Sequence, residues 1–277
     1  MSKSTFTLPN FSPSVEVTLP TNLTQEQLLA YRPFNLWLDT IRDSFKLQKH
    51  RSHSFHKREE RYSLHSINIH SVDFFGSRIG FLKMEAKIKN EADEKTLPGI
   101  VFMRGGSVAV LMILRPQGNT DERYVIMTQQ PRIPAGSLSF FEIPAGMIDD
   151  AGTFSLAAAK ELKEETGLSV PQHELFDMTA KALEKATTSE NHLQKAMYPS
   201  PGGCDEFIAL FLWERTMART EIIELKNKLM GVDREKITVK LVKYEELWKE
   251  GARDAKTLAA WALYEGLTRE GSLPGNH

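Results

Sequence analysis

Three glutamates, Glu161, Glu164 and Glu165, fall within five positions of the stretch "AAAKELKEETGL" (157–168). A spacing of four is close to one helical turn, so the Glu161 and Glu165 carboxylates project from one face and Glu164 borders it. Like charges so placed cost an isolated helix about 0.2–0.5 kcal/mol per pair. A solvated, charged helix face is one reading of such a cluster. A divalent cation is the other, because carboxylate oxygens in this number suit Mg²⁺ or Mn²⁺, hard ions that favour oxygen ligands. No Cys or His lies close enough in sequence to suggest zinc. Ahead of the helix, "EIPAG" turns sharply at Ala145-Gly146. A glycine turn exposes main-chain oxygen, so the Ala145 carbonyl can face the same cation.

The helix that carries these glutamates is expected to start near Thr153 or Ser155 and to end at Gly167, a residue suited to a left-handed C-cap. "SVAVLMIL" (107–114) reads as a buried strand, with "RYVIMTQQ" (123–130) as its neighbour across a polar loop. "SLSFFEIPAG" brings a third strand to the turn. "EFIALFLW" (206–213) and "ITVKLVKY" (237–244) are later strands, separated by a helix around 219–229 that Gly231 can close. "DAKTLAAWALYEGL" makes a terminal helix. Pro98-Gly99 marks a boundary, giving a domain over 98–277 and an N-terminal region over 1–97. That region reads as a tail, then a short helix from the capping box Thr24-Gln25-Glu26-Gln27, interrupted at Pro33. Phe34, Trp37, Leu38, Ile41 and Phe45 follow as one apolar helical stripe. Residues 63–90 read as a small antiparallel sheet with Gly76 near its turn. Strands alternating with a few helices predict an α/β or α+β fold.

The chain has 277 residues and a formal net charge of −1, which argues against a general nucleic-acid binder. Cys204 is the only cysteine, so an internal disulfide framework is excluded and a reducing compartment suits the chain. No apolar run approaches the roughly 18 residues needed to span a bilayer. Cytosol is the default expectation, although the Ser/Thr/Pro-rich start leaves a weak organelle address open. His50, His53 and His56 in "HRSHSFHKREER" lack a consistent one-face geometry with a fourth ligand and read as a solvated linker.

Gly146 and everything from Glu161 through Leu168 fall in register with the loop–helix–loop signature of the Nudix hydrolases, which this chain closely resembles. Two positions depart: Gly152 stands where the signature has Glu, and Lys160 where it has Arg. Lys160 keeps the charge without the bidentate fork, and Asp149 or Asp150 is a candidate for the missing carboxylate. "YPSPGGCDE" (198–206) resembles the loop of the Nudix enzymes that cleave ADP-sugars, whose closing glutamate orients or deprotonates the attacking water; Glu206 occupies that place. "MTQQPRIPAGSLSFFEIPAG" resembles the strand and loop ahead of the box in the same enzymes. By that resemblance Arg132 grips the diphosphate, and Glu142 contacts metal-bound water or the substrate. From about residue 62 to 270 the chain resembles ADP-sugar diphosphatases of the plant chloroplast type.

The resemblance implies a mixed sheet sandwiched by helices, beside a smaller N-terminal unit of helices and antiparallel sheet. It implies Mg²⁺-dependent hydrolysis of ADP-glucose or ADP-ribose to AMP and a sugar phosphate, in a homodimer with no membrane partner. Ala145, Glu161, Glu164 and Glu165 are then the metal ligands, with Glu206 and Glu164 catalytic. The alternatives are a silent nucleotide-binding module, kept open by Gly152 and Lys160, and hydrolysis of another nucleoside diphosphate derivative. Cys204, with no nearby His, is expected to be a packed residue and not a nucleophile.

Overall fold

Hydrophobic alternation and continuous apolar runs both build strands in the computed structural model, which describes residues 4–90, 92, 95–119, 121–148, 153–187, 190–230 and 236–274. Two compact units divide the chain: residues 1–106, 188–194 and 200–206 form the first, and 107–187, 195–199 and 207–277 the second.

The first unit opens with β1 (Ser4–Leu8) and β2 (Val15–Leu19), an antiparallel pair. The Ser/Thr/Pro-rich start, expected as a tail, is therefore sheet. Leu8, Val15, Val17 and Leu19 are all buried, and the period-two alternation of "VEVTL" is the signal that composition masked. In the expected capping box, the Gln27 N–H donates to Thr24 Oγ1 at 3.2 Å and the Thr24 N–H to Gln27 Oε1 at 3.0 Å, starting α1 (Gln25–Ala30). Pro33 lies in the first turn of α2 (Arg32–Leu47), where its missing N–H has no helical partner to lose. Phe34 and Leu38 of α2 are buried, and Trp37, Ile41 and Phe45 pack on the same core. β3 (Tyr62–Phe75) and β4 (Arg78–Asn90) form a long antiparallel hairpin turned at Gly76, whose φ of 63° suits glycine. β2 joins β3 in parallel, so the sheet is mixed. β5 (Thr96–Leu97) and β6 (Ile100–Met103) both pair with β4.

The second unit is built on β7 (Ser107–Pro116), which runs antiparallel to β8 (Tyr124–Arg132). β9 (Ser137–Glu142) pairs with β8, and β10 (Ala145–Met147) with β7. The chain continues through α3 (Phe154–Thr166), β11 (Phe176–Asp177), α4 (Met178–Leu183) and β12 (Ile208–Met217). It closes with α5 (Arg219–Leu225), β13 (Leu229–Met230), β14 (Ile237–Lys243), α6 (Leu247–Glu250) and α7 (Ala255–Glu270). The strand order is β11-β12-β7-β8-β14-β13, with β12 parallel to β7. Alternate residues of β7 feed two cores. Val108, Val110, Met112 and Leu114 pack with Ala158 and Leu162 of α3 and Ile222 of α5. Ala109, Leu111 and Ile113 pack with Met178 of α4 and Ala260 and Tyr264 of α7. A strand buried on both faces reads as one apolar run, which is why "SVAVLMIL" shows no alternation. The result is the expected mixed sheet between helices. The helix expected over 219–229 stops at Leu225, and Gly231 lies outside the described residues. Among the described residues no helix is long and apolar enough to cross a membrane.

Candidate active site

β9 delivers the chain through Ile143-Pro144 to the β10 turn, and α3 returns across it. Thr153 caps α3 by accepting the Leu156 N–H at 3.3 Å, and Gly167 ends it in the left-handed conformation at φ 75°. Ala157, Ala158 and Leu162 bury one side of α3, which fixes its rotation and turns Glu161 and Glu165 towards the β10 turn. Two contacts tie helix and turn together. Glu165 Oε2 accepts the Ala145 N–H at 3.0 Å, and its Oε1 accepts from Gln130 Nε2 at 3.0 Å. The Glu161 carboxyl lies against Gly146, where a Cβ would come within 1.8 Å of Glu161 Cδ. A side chain at position 146 would therefore force the Glu161 carboxyl to move.

Glu165 is buried, and burial, with the charges of Glu161 and Glu142 nearby, pushes its carboxyl up to about 8 against the pull of the Gln130 and Ala145 donors. Glu164 is half-buried and Lys160 is exposed on α3; Asp149, Asp150 and Gly152 lie outside the described residues.

Glu142, also buried, sits between two cations. Its Oε1 accepts from Arg132 Nε at 2.6 Å, and its Oε2 accepts from Lys256 Nζ. Lys256 also donates to Asp254 Oδ1 at 2.9 Å. Asp254 caps α7 by accepting the Thr257 N–H at 3.1 Å, and Thr257 Oγ1 accepts the Ile143 N–H at 3.1 Å. The first turn of α7 is thereby fastened to the peptide that leads into the β10 turn.

Glu206 belongs to the first unit. Its carboxylate lies 3.3 Å from Arg104 Nη1. Its neighbour Asp205 accepts the backbone N–H groups of Arg104 at 2.7 Å and of Gly105 at 3.1 Å, and burial pushes the Asp205 carboxyl up. Gly203 accepts the Phe102 N–H at 2.8 Å, so the Ser200–Glu206 loop is laced to β6 and to the residues that follow it. Burial also raises the Cys204 thiol, the opposite of an activated nucleophile. His53 Nδ1 accepts the Phe55 N–H at 3.0 Å, and His56 Nδ1 lies 3.2 Å from the His53 carbonyl, both local turn contacts.

A NUDIX domain profile matches residues 103–261. The chain belongs to the Nudix hydrolase family. It is 41% identical over 212 residues to Nudix hydrolase 14, chloroplastic, of Arabidopsis thaliana, a match covering 76% of this chain and 65% of that protein, just under two thirds of its length. It is 35% identical over 159 residues to the ADP-ribose pyrophosphatase of Bacillus subtilis (strain 168), covering 56% of this chain and 69% of the relative. A solved structure described as "Crystal structure of ADP compounds hydrolase" aligns over 76% of this chain and 99% of its own, at a TM-score of 0.46 and 16% identity, too distant to bear on fold or activity.

In this Nudix chain, Arg132, Glu142, Ala145, Gly146, Glu161 and Glu165 come together in the second unit. Among the described residues no three His, Cys, Asp or Glu side chains form a metal cage on their own. The Glu161 and Glu165 carboxylates, gathered at the Ala145-Gly146 turn, are oxygen donors of the kind a hard cation takes. Gln130, Lys256 and Thr257 were not singled out by sequence reasoning. A lysine in the first turn of a helix, where the dipole disfavours a cation by about 0.3–1 kcal/mol, is the one signal that could have marked Lys256.

Proposed function

We propose that the chain hydrolyses the diphosphate of an ADP-sugar, with ADP-ribose and ADP-glucose favoured, releasing AMP and a sugar phosphate. The observation that carries this reading is the pair Glu161 and Glu165 packed against the Ala145-Gly146 turn. The name of the Bacillus subtilis relative supports a diphosphate-linked ADP substrate. Glu161 and Glu165, with Glu164 and the Ala145 carbonyl, are the proposed ligands of Mg²⁺, or Mn²⁺ in its place. Bound there, the ion supplies neutralisation of phosphate charge and a lowered pKa for a coordinated water.

Arg132 offers a guanidinium to the diphosphate oxygens, a planar donor set that matches them. Glu206 takes the proton from the attacking water as the new P–O bond forms and the bridging P–O bond breaks. Assembly as a homodimer is also proposed. Phe75, Leu97, Ile100 and Phe102 of the first unit are exposed and apolar, a surface that a second copy covers. The name of the Arabidopsis relative favours an organelle over the cytosol, and imaging a fluorescent fusion tests that.

The deciding experiment incubates the protein with ADP-ribose and ADP-glucose, with Mg²⁺ or with chelator, and separates the products by chromatography. AMP release that needs the cation and falls by at least about 100-fold in Glu165→Gln is expected. A folded wild-type protein that binds these nucleotides and yields no AMP would instead be the silent module.

A further inference from the structure

Glu142 has two cationic partners, one of them shared with Asp254, and the two differ in access. The Arg132 side chain is 39% exposed, whereas that of Lys256 is 12% exposed and held by Asp254 as well. Arg132 can leave Glu142 for something arriving from solvent; Lys256 is walled in. Position in the first turn of α7 gives Lys256 no helical advantage, because the positive end of the dipole opposes it. Its contacts are with Glu142 and Asp254, the former in a strand more than a hundred positions earlier.

We propose that Lys256 is a positioning residue that makes Arg132 available to an incoming diphosphate. When the guanidinium turns to the anion, Lys256 keeps the buried Glu142 carboxylate paired with a cation. Without Lys256, Arg132 would be the counterion left to Glu142 in this cluster, and taking it away would strand a buried charge, the costly way to break a buried pair. The diphosphate would then compete with Glu142 for the same guanidinium. This inference rests on the reading of Arg132 as the diphosphate's partner.

The test measures binding of ADP, a diphosphate probe, by calorimetry in chelator with the full chain, so that no turnover is involved. Lys256→Met is expected to weaken ADP binding about tenfold, and Lys256→Arg, which restores the charge, to stay within about twofold of wild type. In a Glu142→Gln background, Lys256→Met should change affinity by less than about twofold, because the competitor is gone. A loss of the same size in that background would mean that Lys256 acts on the ligand by charge alone, and would overturn the proposal. So would wild-type affinity in Lys256→Met, or no ADP binding by the wild type. Circular dichroism checks folding, and Lys256→Gln replaces the methionine variant if that variant does not fold. AMP release from ADP-sugars is read separately, so failure of this inference is distinguishable from failure of the hydrolase reading.

Discussion

A methyl group on residue 146 would sit 1.8 Å from the Glu161 carboxyl carbon, far inside van der Waals contact. Gly146→Ala must therefore displace the turn or the carboxylate, and a misplacement near 1 Å in a reacting site costs on the order of 100-fold in rate. Turnover of ADP-ribose by this variant is expected to fall by about that factor; activity within about threefold of wild type would show that the turn yields freely. Glu165 gives a second prediction. Its folded carboxyl titrates at about 8, above the ~4.3 of an unfolded chain, so the folded state keeps a proton that the unfolded state has released. Stability of metal-free protein should therefore fall as pH rises through the window from about 4 to 8 and level off above it. Glu165→Gln should flatten this decline, and Mg²⁺ should raise the wild-type melting temperature at pH near 8 more than that of the variant. Melts in chelator across the window check it; parallel curves for the two proteins would remove Glu165 as the source. The glutamates and Gly146 were legible in the sequence because turn and helix are adjacent, and period and glycine speak locally. Lys256 and Thr257 were not, since their contacts with Glu142 and Ile143 each span 114 positions, and α7 shows an apolar pattern that says nothing about its first turn.

At the scale of elements, α3 must stop where it does for the site to keep its shape. Gly167 adopts φ 75°, and a Cβ there would meet Met230 Cε at 2.9 Å. Gly167→Ala is expected to lose roughly 1 kcal/mol or more through the left-handed backbone alone. Gly167→Asn, which meets Met230 equally but tolerates that conformation better, should lose less. Urea titrations compare them; equal losses would assign the cost to Met230. The strands around α3 announced themselves as apolar runs, and α2 by its stripe from Phe34 to Phe45. β1 and β2 did not, because serine, threonine and proline dominate their neighbourhood and only five-residue alternations remain. β11 and β13, two residues each, are too short to leave a pattern and exist because β12 and β14 offer them an edge.

For the whole molecule, the start of the chain is part of a core. Deleting residues 1–20 removes Leu8, Val15, Val17 and Leu19, each buried and each worth about 1.5–3 kcal/mol on burial. The first unit should then lose its cooperative fold, seen as rapid proteolysis within residues 24–106, whereas wild type resists. If a second copy covers Ile100 and Phe102, Phe102→Glu should shift a dimer to monomer in sedimentation, and a monomeric wild type would discard that assembly. The attachment of α7 to Ile143 and Glu142 reaches further than either unit's stability. A transcript spliced or frameshifted to end before residue 254 would still encode the entire 146–168 signature and be recognised by it. Its product would leave the Ile143 amide and the Glu142 carboxylate short of their partners, so the presence of the signature in a gene fragment does not make that fragment an intact site.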